Sequence, residues 1–223
     1  MTNTILIIAA HPDDEVLGCS GTMAKYIAAG SNVHVAFMTN GVSSRNLNLI
    51  DEAEDRKKAS HDAAQILGVS STCYFDFPDN KMDSVALLDV VNSIEGLIRE
   101  LKPDVIYTHH IGDLNVDHQI TCKATITACR PQPGLSVKEI FSFEVLSSTE
   151  WQVSGYLPFT PNIFIDISEQ IEIKKEALKA YGNEMRQPPH SRSIDNVIRL
   201  NALRGSSVGL NYAEAFCLLR KIN

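Results

Sequence analysis

The sequence predicts an α/β fold, a parallel sheet flanked by helices, organised as a single domain over 1–223. Three observations carry this. Strand-like apolar runs alternate with helix-like runs through the first two thirds of the chain. Gly30, Gly68 and Pro103 fall where helices should stop. At 223 residues the chain is long enough to bury roughly 70% of its unfolded surface in one core.

The first strand is expected at 4–10 (TILIIAA), a continuous apolar run of the kind that is buried on both faces, and a helix follows over 15–29. VHVAFMT gives a second strand at 33–39, then a helix over 51–67. TCYFDF (72–77) and DVIYTH (104–109) read as strands three and four, with helices at 84–101 and 117–129 after them. EIFSFEVL (139–146) is a fifth strand. Helical patterning returns at 168–181 and 194–204, whereas YAEAFCLLR (212–220) fits either period. The adjacent prolines of QPPHSRS (187–193) make that stretch an irregular loop.

The formal net charge is −7, from 20 Lys plus Arg against 27 Asp plus Glu, and no basic run offers a phosphate-binding track. Nucleic acid and acidic membrane surfaces are therefore excluded as expected partners. Cys19, Cys73, Cys122, Cys129 and Cys217 are scattered, odd in number and never CxxC, the usage of reduced thiols in a cytoplasmic protein. The apolar run at Ile5 to Ala10 lacks a basic flank and ends in HPDDE, and no later stretch reaches 18 apolar residues. Neither a signal peptide nor stable membrane insertion is expected.

Two polar clusters follow the first and fourth strands. In a doubly wound sheet those strands are neighbours where strand order reverses, and ligands sit beyond their carboxyl ends. The first cluster is His11, Pro12, Asp13, Asp14 and Glu15. The second runs from His109 and His110 through Asp113 and Asn115 to Asp117 and His118. Catalytic zinc takes three N or O ligands and leaves a position open, and His11, Asp14 and His118 supply such a set. Asp13 then stays unligated, suited to remove a proton from the attacking water. Asp113 or Asp117 is placed to orient a ligand imidazole. The plain alternative for HPDDE is a helix start, because Asp caps helices and acidic side chains favour the first turn.

At these residues the sequence resembles the PIG-L / LmbE-like family of zinc-dependent de-N-acetylases, with HPDD after the first strand and a later DH pair. HPDDEVLGCSGTMAKYIAAGSNVHVAFMTNG is similar to the family's opening, GDLNVDHQIT to its second motif, and PHSRS with RGSSVGLNYAEAFCLLR to its close. The resemblance implies a Rossmann-like fold and hydrolysis of an acetamide on an N-acetylglucosamine-type sugar. It further implies His11, Asp14 and His118 as zinc ligands, Asp13 as general base, and an arginine at the position of Arg56. It also implies a homo-oligomer, a trimer or hexamer, in which the Pro188–Pro189 loop can form a subunit contact. Iron(II) is the alternative metal for a His2Asp set.

One position departs from the family's HxDH pattern, since Asn115 stands where many members carry histidine. Asn donates a hydrogen bond but delivers no proton. His190 is then the first candidate for a separate acid and His110 the second, unless Asp13 itself shuttles the proton. Arg56 and Arg45 are candidates to meet an anion or a sugar hydroxyl. Asp79 is a candidate for sugar hydroxyls, although FPDN also reads as a turn. Glu144 is expected to line the pocket and Trp151 to pack in the core. The rival from another class is a sugar-nucleotide binding module without hydrolysis. Against it, neither GxGxxG nor GxxxxGK[ST] follows the first strand.

Overall fold

The computed structural model describes residues 3–41, 49–153 and 155–223, with the backbone alone at 49–51. Among the described residues, seven strands form one sheet in the order β3-β2-β1-β4-β5-β7-β6. These are β1 (Thr4–Ala9), β2 (Asn32–Thr39), β3 (Ser71–Phe77), β4 (Val105–His109), β5 (Glu139–Phe143), β6 (Ile163–Asp166) and β7 (Ala213–Lys221). The first five are parallel to their neighbours, and β7 pairs antiparallel with both β5 and β6. The helices are α1 (Asp14–Ala28), α2 (Leu49–Leu67), α3 (Leu87–Leu101), α4 (Val116–Ala128), α5 (Ile171–Ala180) and α6 (Ile194–Ser206).

Successive side chains of a strand point to opposite faces, so a strand covered on both sides must be apolar throughout. In β1, Ile5, Ile7 and Ala9 join a core with α1, α2, α5 and α6, while Leu6 and Ile8 join a second core with α3 and α4. This double burial is what the unbroken run TILIIA encodes. β1 lies beside β4 with Ile5 opposite Val105 and Ile7 opposite Tyr107. The loops after these two strands therefore leave the same edge of the sheet side by side, at the reversal of strand order.

The structure differs from the sequence expectations at the C-terminal third. The fifth strand ends at Phe143 rather than 146, and 213–221 resolves as strand, because its backbone groups complete the open edge of β5. The four-residue β6 was not anticipated, being too short to show a period. Trp151 is 52% exposed rather than packed in the core. Among the described residues no helix is long and apolar enough to cross a membrane.

Helix α1 breaks at Cys19 (φ −149°), just where it presses on the sheet. Gly18 lies against the Phe143 ring and Gly21 against Ile167, and an added Cβ would come within 2.4 Å and 2.8 Å of them. The break strands backbone groups, and a buried ion pair takes them up. Glu214 accepts from the N–H groups of Gly21 and Thr22 at 2.9 and 2.7 Å. Lys174 donates to the Leu17 carbonyl at 3.2 Å and to Glu214 at 2.6 Å.

Candidate metal centre

The loop from β1 into α1 is shaped by one strained residue. Asp13 has φ 121°, far from ordinary helical or extended backbone for a residue with a side chain. Four hydrogen bonds brace it there. The Asp13 N–H donates to Glu15 Oε2 at 3.0 Å, and Glu15 Oε1 in turn accepts from the Tyr181 hydroxyl at 2.6 Å. Arg56 donates through Nε to the Pro12 carbonyl at 2.9 Å and through Nη1 to the Gly41 carbonyl at 2.6 Å. The Asp13 carboxylate makes no capping bond to α1, so the simple helix-cap account of HPDDE does not describe it.

Asp14 instead turns its Oδ2 back onto His11, whose N–H it accepts at 2.8 Å. Three donor atoms converge here. His11 Nδ1 lies 3.1 Å from Asp14 Oδ2, His118 Nε2 lies 3.3 Å from the same oxygen, and the two nitrogens are 3.2 Å apart. A tetrahedral ion at about 2.0–2.1 Å from its ligands needs ligand atoms about 3.3–3.4 Å apart, so the triangle has the edge lengths of such a coordination face. All three residues are at most 7% exposed.

The outer nitrogen of each imidazole meets its own carboxylate. His11 Nε2 is 3.1 Å from Asp117 and 3.3 Å from Asp79, and His118 Nδ1 is 3.1 Å from Asp113. Asp117 also accepts from the N–H groups of Asn80 and Met82, which ties the 79–82 turn to the site. Asp113 accepts from the hydroxyls of Ser148 and Thr149. His109 stacks on His118 with ring centroids 3.9 Å apart, and its Nε2 accepts from the Ala10 N–H. A second acidic grouping, His11 with Asp79 and Asp117, adjoins the first.

These neighbours set the proton affinities of the metal-free protein. Burial acts to lower the His118 pKa, but Asp14 and Asp113 overcome it and raise it to about 9. His11 is likewise raised by Asp117, Asp14 and Asp79 against burial. For Asp113 burial pushes up, yet His118 and the two hydroxyls hold it at about 2. Burial and His118 together drive His109 well below its usual value, leaving it neutral. Asp13 moves the other way from Asp14: burial raises it, and Arg56 and Arg192 only partly offset this.

The remaining sequence candidates fall in different places. Asp79 is buried against His11, as above. Asn115 is the N-cap of α4, accepting from the Asp117 N–H at 2.8 Å while its amide donates to Asn80 at 3.2 Å. His110 is buried, with Nε2 bonded to the Leu157 carbonyl at 2.7 Å and Nδ1 without a partner among the described residues. His190 is exposed, edge-on to Trp151, and its Nδ1 accepts from the Arg192 N–H. Arg56, expected to meet a ligand, is instead buried in the supports of Asp13, and Glu144, expected at the pocket, is gripped at both oxygens by Arg204. A cavity of about 670 Å³ between α2 and residues 179–186 touches Arg56 and Glu184 but none of the three converging donors. Arg45 lies outside the described residues. Sequence reasoning placed Glu15 in the first cluster without a role and missed Arg192, because a loop arginine 179 positions from its partner carries no local signal.

Residues 6–129 match the GlcNAc-PI de-N-acetylase (PIG-L) family. The chain belongs to this family. It is therefore an enzyme of the amide-hydrolysing deacetylase kind. The uncharacterized deacetylase YaiS of Escherichia coli K12 is 32% identical over 79% of this chain and 89% of its own. A probable N-acetyl-alpha-D-glucosaminyl L-malate deacetylase of Bacillus cereus is 27% identical over 82% of this chain and 84% of its own. A crystal structure of GalB, a 4-carboxy-2-hydroxymuconate hydratase from Pseudomonas putida, superposes with a TM-score of 0.80 at 20% identity, covering 100% of this chain and 98% of that one. That likeness concerns the fold alone, and a hydratase on the same fold shows why the reaction has to be argued from the site.

Proposed function

We propose that this enzyme is a divalent-metal hydrolase that removes the acetyl group from an N-acetylglucosamine-type amino sugar or a conjugate of one, releasing acetate. The observation that carries the reading is the triangle of His11, Asp14 and His118 donors beside an unligated buried carboxylate. The residues fit a metal: their ligand atoms lie at coordination spacing, and each imidazole is backed by a carboxylate, an arrangement common behind metal-binding histidines. Zinc is the expected ion, with iron(II) as the alternative for this donor set. Bound there, it supplies Lewis acidity that polarises the acetamide carbonyl and makes water acidic near neutral pH.

Asp13 takes the proton of the attacking water. Its Oδ1 is buried with no hydrogen-bond partner among the described residues, whereas Oδ2 is held by two arginines. As the carbonyl oxygen gathers negative charge, a tetrahedral adduct forms, and its collapse breaks the C–N bond to give acetate and the amine. The same Asp13 returns the proton to the departing nitrogen. The surroundings of the other candidates favour this shuttle: Asn115 is spent on capping, His110 Nε2 on Leu157, and His190 sits in solvent. The family's GlcNAc-PI de-N-acetylase activity and the sugar named for the Bacillus cereus relative support the amino-sugar class.

The test is metal analysis with an acetate-release assay on N-acetylglucosamine and its nucleotide- and lipid-linked forms. The wild type should bind a divalent metal and release acetate from at least one, whereas Asp13→Ala should keep the metal and lose about 10²–10⁴-fold in kcat. Full activity in Asp13→Ala removes that residue from the base role, and metal without acetate from any acetamide sugar defeats the substrate class.

A further inference from the structure

We propose that Arg192 is a positioning residue that decides which oxygen of Asp13 faces the reaction. The proposal rests on Asp13 being the base. Arg192 Nη1 reaches Asp13 Oδ2 at 2.9 Å, and Arg56 Nη2 reaches the same oxygen at 3.1 Å from another element. The other oxygen, Oδ1, is buried and has no hydrogen-bond partner among the described residues. The terminal torsion of a carboxylate is broad and nearly two-fold, so one cation alone lets the two oxygens exchange places. Two guanidinium groups on one oxygen remove that freedom and keep the lone pairs of Oδ1 for the proton.

The contact is built rather than incidental. Arg192 comes from the irregular loop between α5 and α6, outside the stretch matched to the family. Its Nε donates to Ser147 Oγ at 2.8 Å, its N–H donates to His190 Nδ1 at 3.0 Å, and its carbonyl accepts from the Arg186 N–H at 3.0 Å. Arg56 is fixed independently by Pro12, Gly41 and Glu184. The loop that carries Arg192 thereby couples the segment after β5 to the carboxylate beside the metal ligands. Lysine cannot reproduce this, because its point charge lacks the planar fork that holds Ser147 and Asp13 at once.

The experiment compares wild type with Arg192→Lys and Arg192→Met. In Arg192→Met, metal content and KM should stay close to wild type while kcat falls about 10²-fold, the scale expected when a reacting group loses its alignment. Added methylguanidinium should restore part of that loss, and Arg192→Lys should fall between. Independently of turnover, side-chain ¹⁵N NMR of the metal-free protein should show hindered rotation of the Arg192 guanidinium, absent in Asp13→Asn. A kcat within about threefold of wild type in Arg192→Met, or a freely rotating guanidinium in the wild type, overturns the proposal. A wild type that releases no acetate instead overturns the deacetylase reading, and the NMR result then decides alone whether the clamp exists.

Discussion

Two groups of buried charge touch α1, and they are built on opposite principles. The Lys174–Glu214 pair, at 0% and 1% exposure, is self-sufficient: each charge meets the other, and the remaining capacity goes to backbone groups freed by the break at Cys19. The His11, Asp14 and His118 group is buried too, but here two imidazole nitrogens converge on one carboxylate oxygen at 3.1–3.3 Å, and beside them an Asp13 oxygen has no hydrogen-bond partner among the described residues. Buried charge is costly unless matched. A matched pair serves the fold, whereas three ligand-type atoms gathered within 3.1–3.3 Å of one another also suit a bound cation that displaces the imidazole protons.

The largest expected effect that tests this contrast is at the ligand group. His118→Ala should lose bound metal and drop acetate release to background while remaining folded, as seen by metal analysis and circular dichroism. Glu214→Ala should do the reverse. Leaving Lys174 and two backbone N–H groups unmatched should cost about 3–5 kcal/mol in denaturant unfolding, with metal binding by the folded fraction unchanged. Metal loss in Glu214→Ala without loss of stability would erase the distinction.

A smaller effect probes the carboxylates behind the imidazoles. Asp113→Asn should weaken metal affinity about 10–100-fold, as measured by competition with a chelating dye. Unchanged affinity would make Asp113 only a brace for Ser148 and Thr149. The smallest effect is in pH. His118 is raised to about 9 in the metal-free protein, so it contributes stability that is full below its unfolded value near 6.5 and is lost as pH rises through about 9. Metal-free protein should therefore become less heat-stable over that window, while metal affinity climbs because the bound imidazole must be deprotonated. Proton release on metal addition near pH 7, read by calorimetry in buffers of different ionisation enthalpy, checks the sign.

Much of the centre was legible because it is local. The short apolar run TILIIAA ahead of a helical stretch reads as a strand, which puts HPDD at its carboxyl end, and the position of His118 after the fourth strand followed from the doubly wound order. Asp113 and Asp117 were readable as partners for the imidazoles on the same ground. By contrast, Arg56 and Glu144 looked like ligand contacts because exposed and paired arginines and glutamates are indistinguishable in sequence. Trp151 looked like core because aromatic size says nothing about which side of a loop faces water. YAEAFCLLR stayed ambiguous until an open sheet edge made strand the only way to satisfy its backbone.

The sequence by itself determined the α/β class, the five parallel strands and the two polar loops at their reversal point, because periodicity and short-range spacing are set by neighbours along the chain. Only the tertiary structure decided that Arg192 and Arg56 share one oxygen of Asp13, that Glu15 and Tyr181 hold Asp13 at positive φ, and that Lys174 and Glu214 mend α1. Those contacts join residues up to 193 positions apart. They exist because burial makes unmatched charge expensive wherever the chain happens to bring it, and that place is fixed only once the whole sheet is folded.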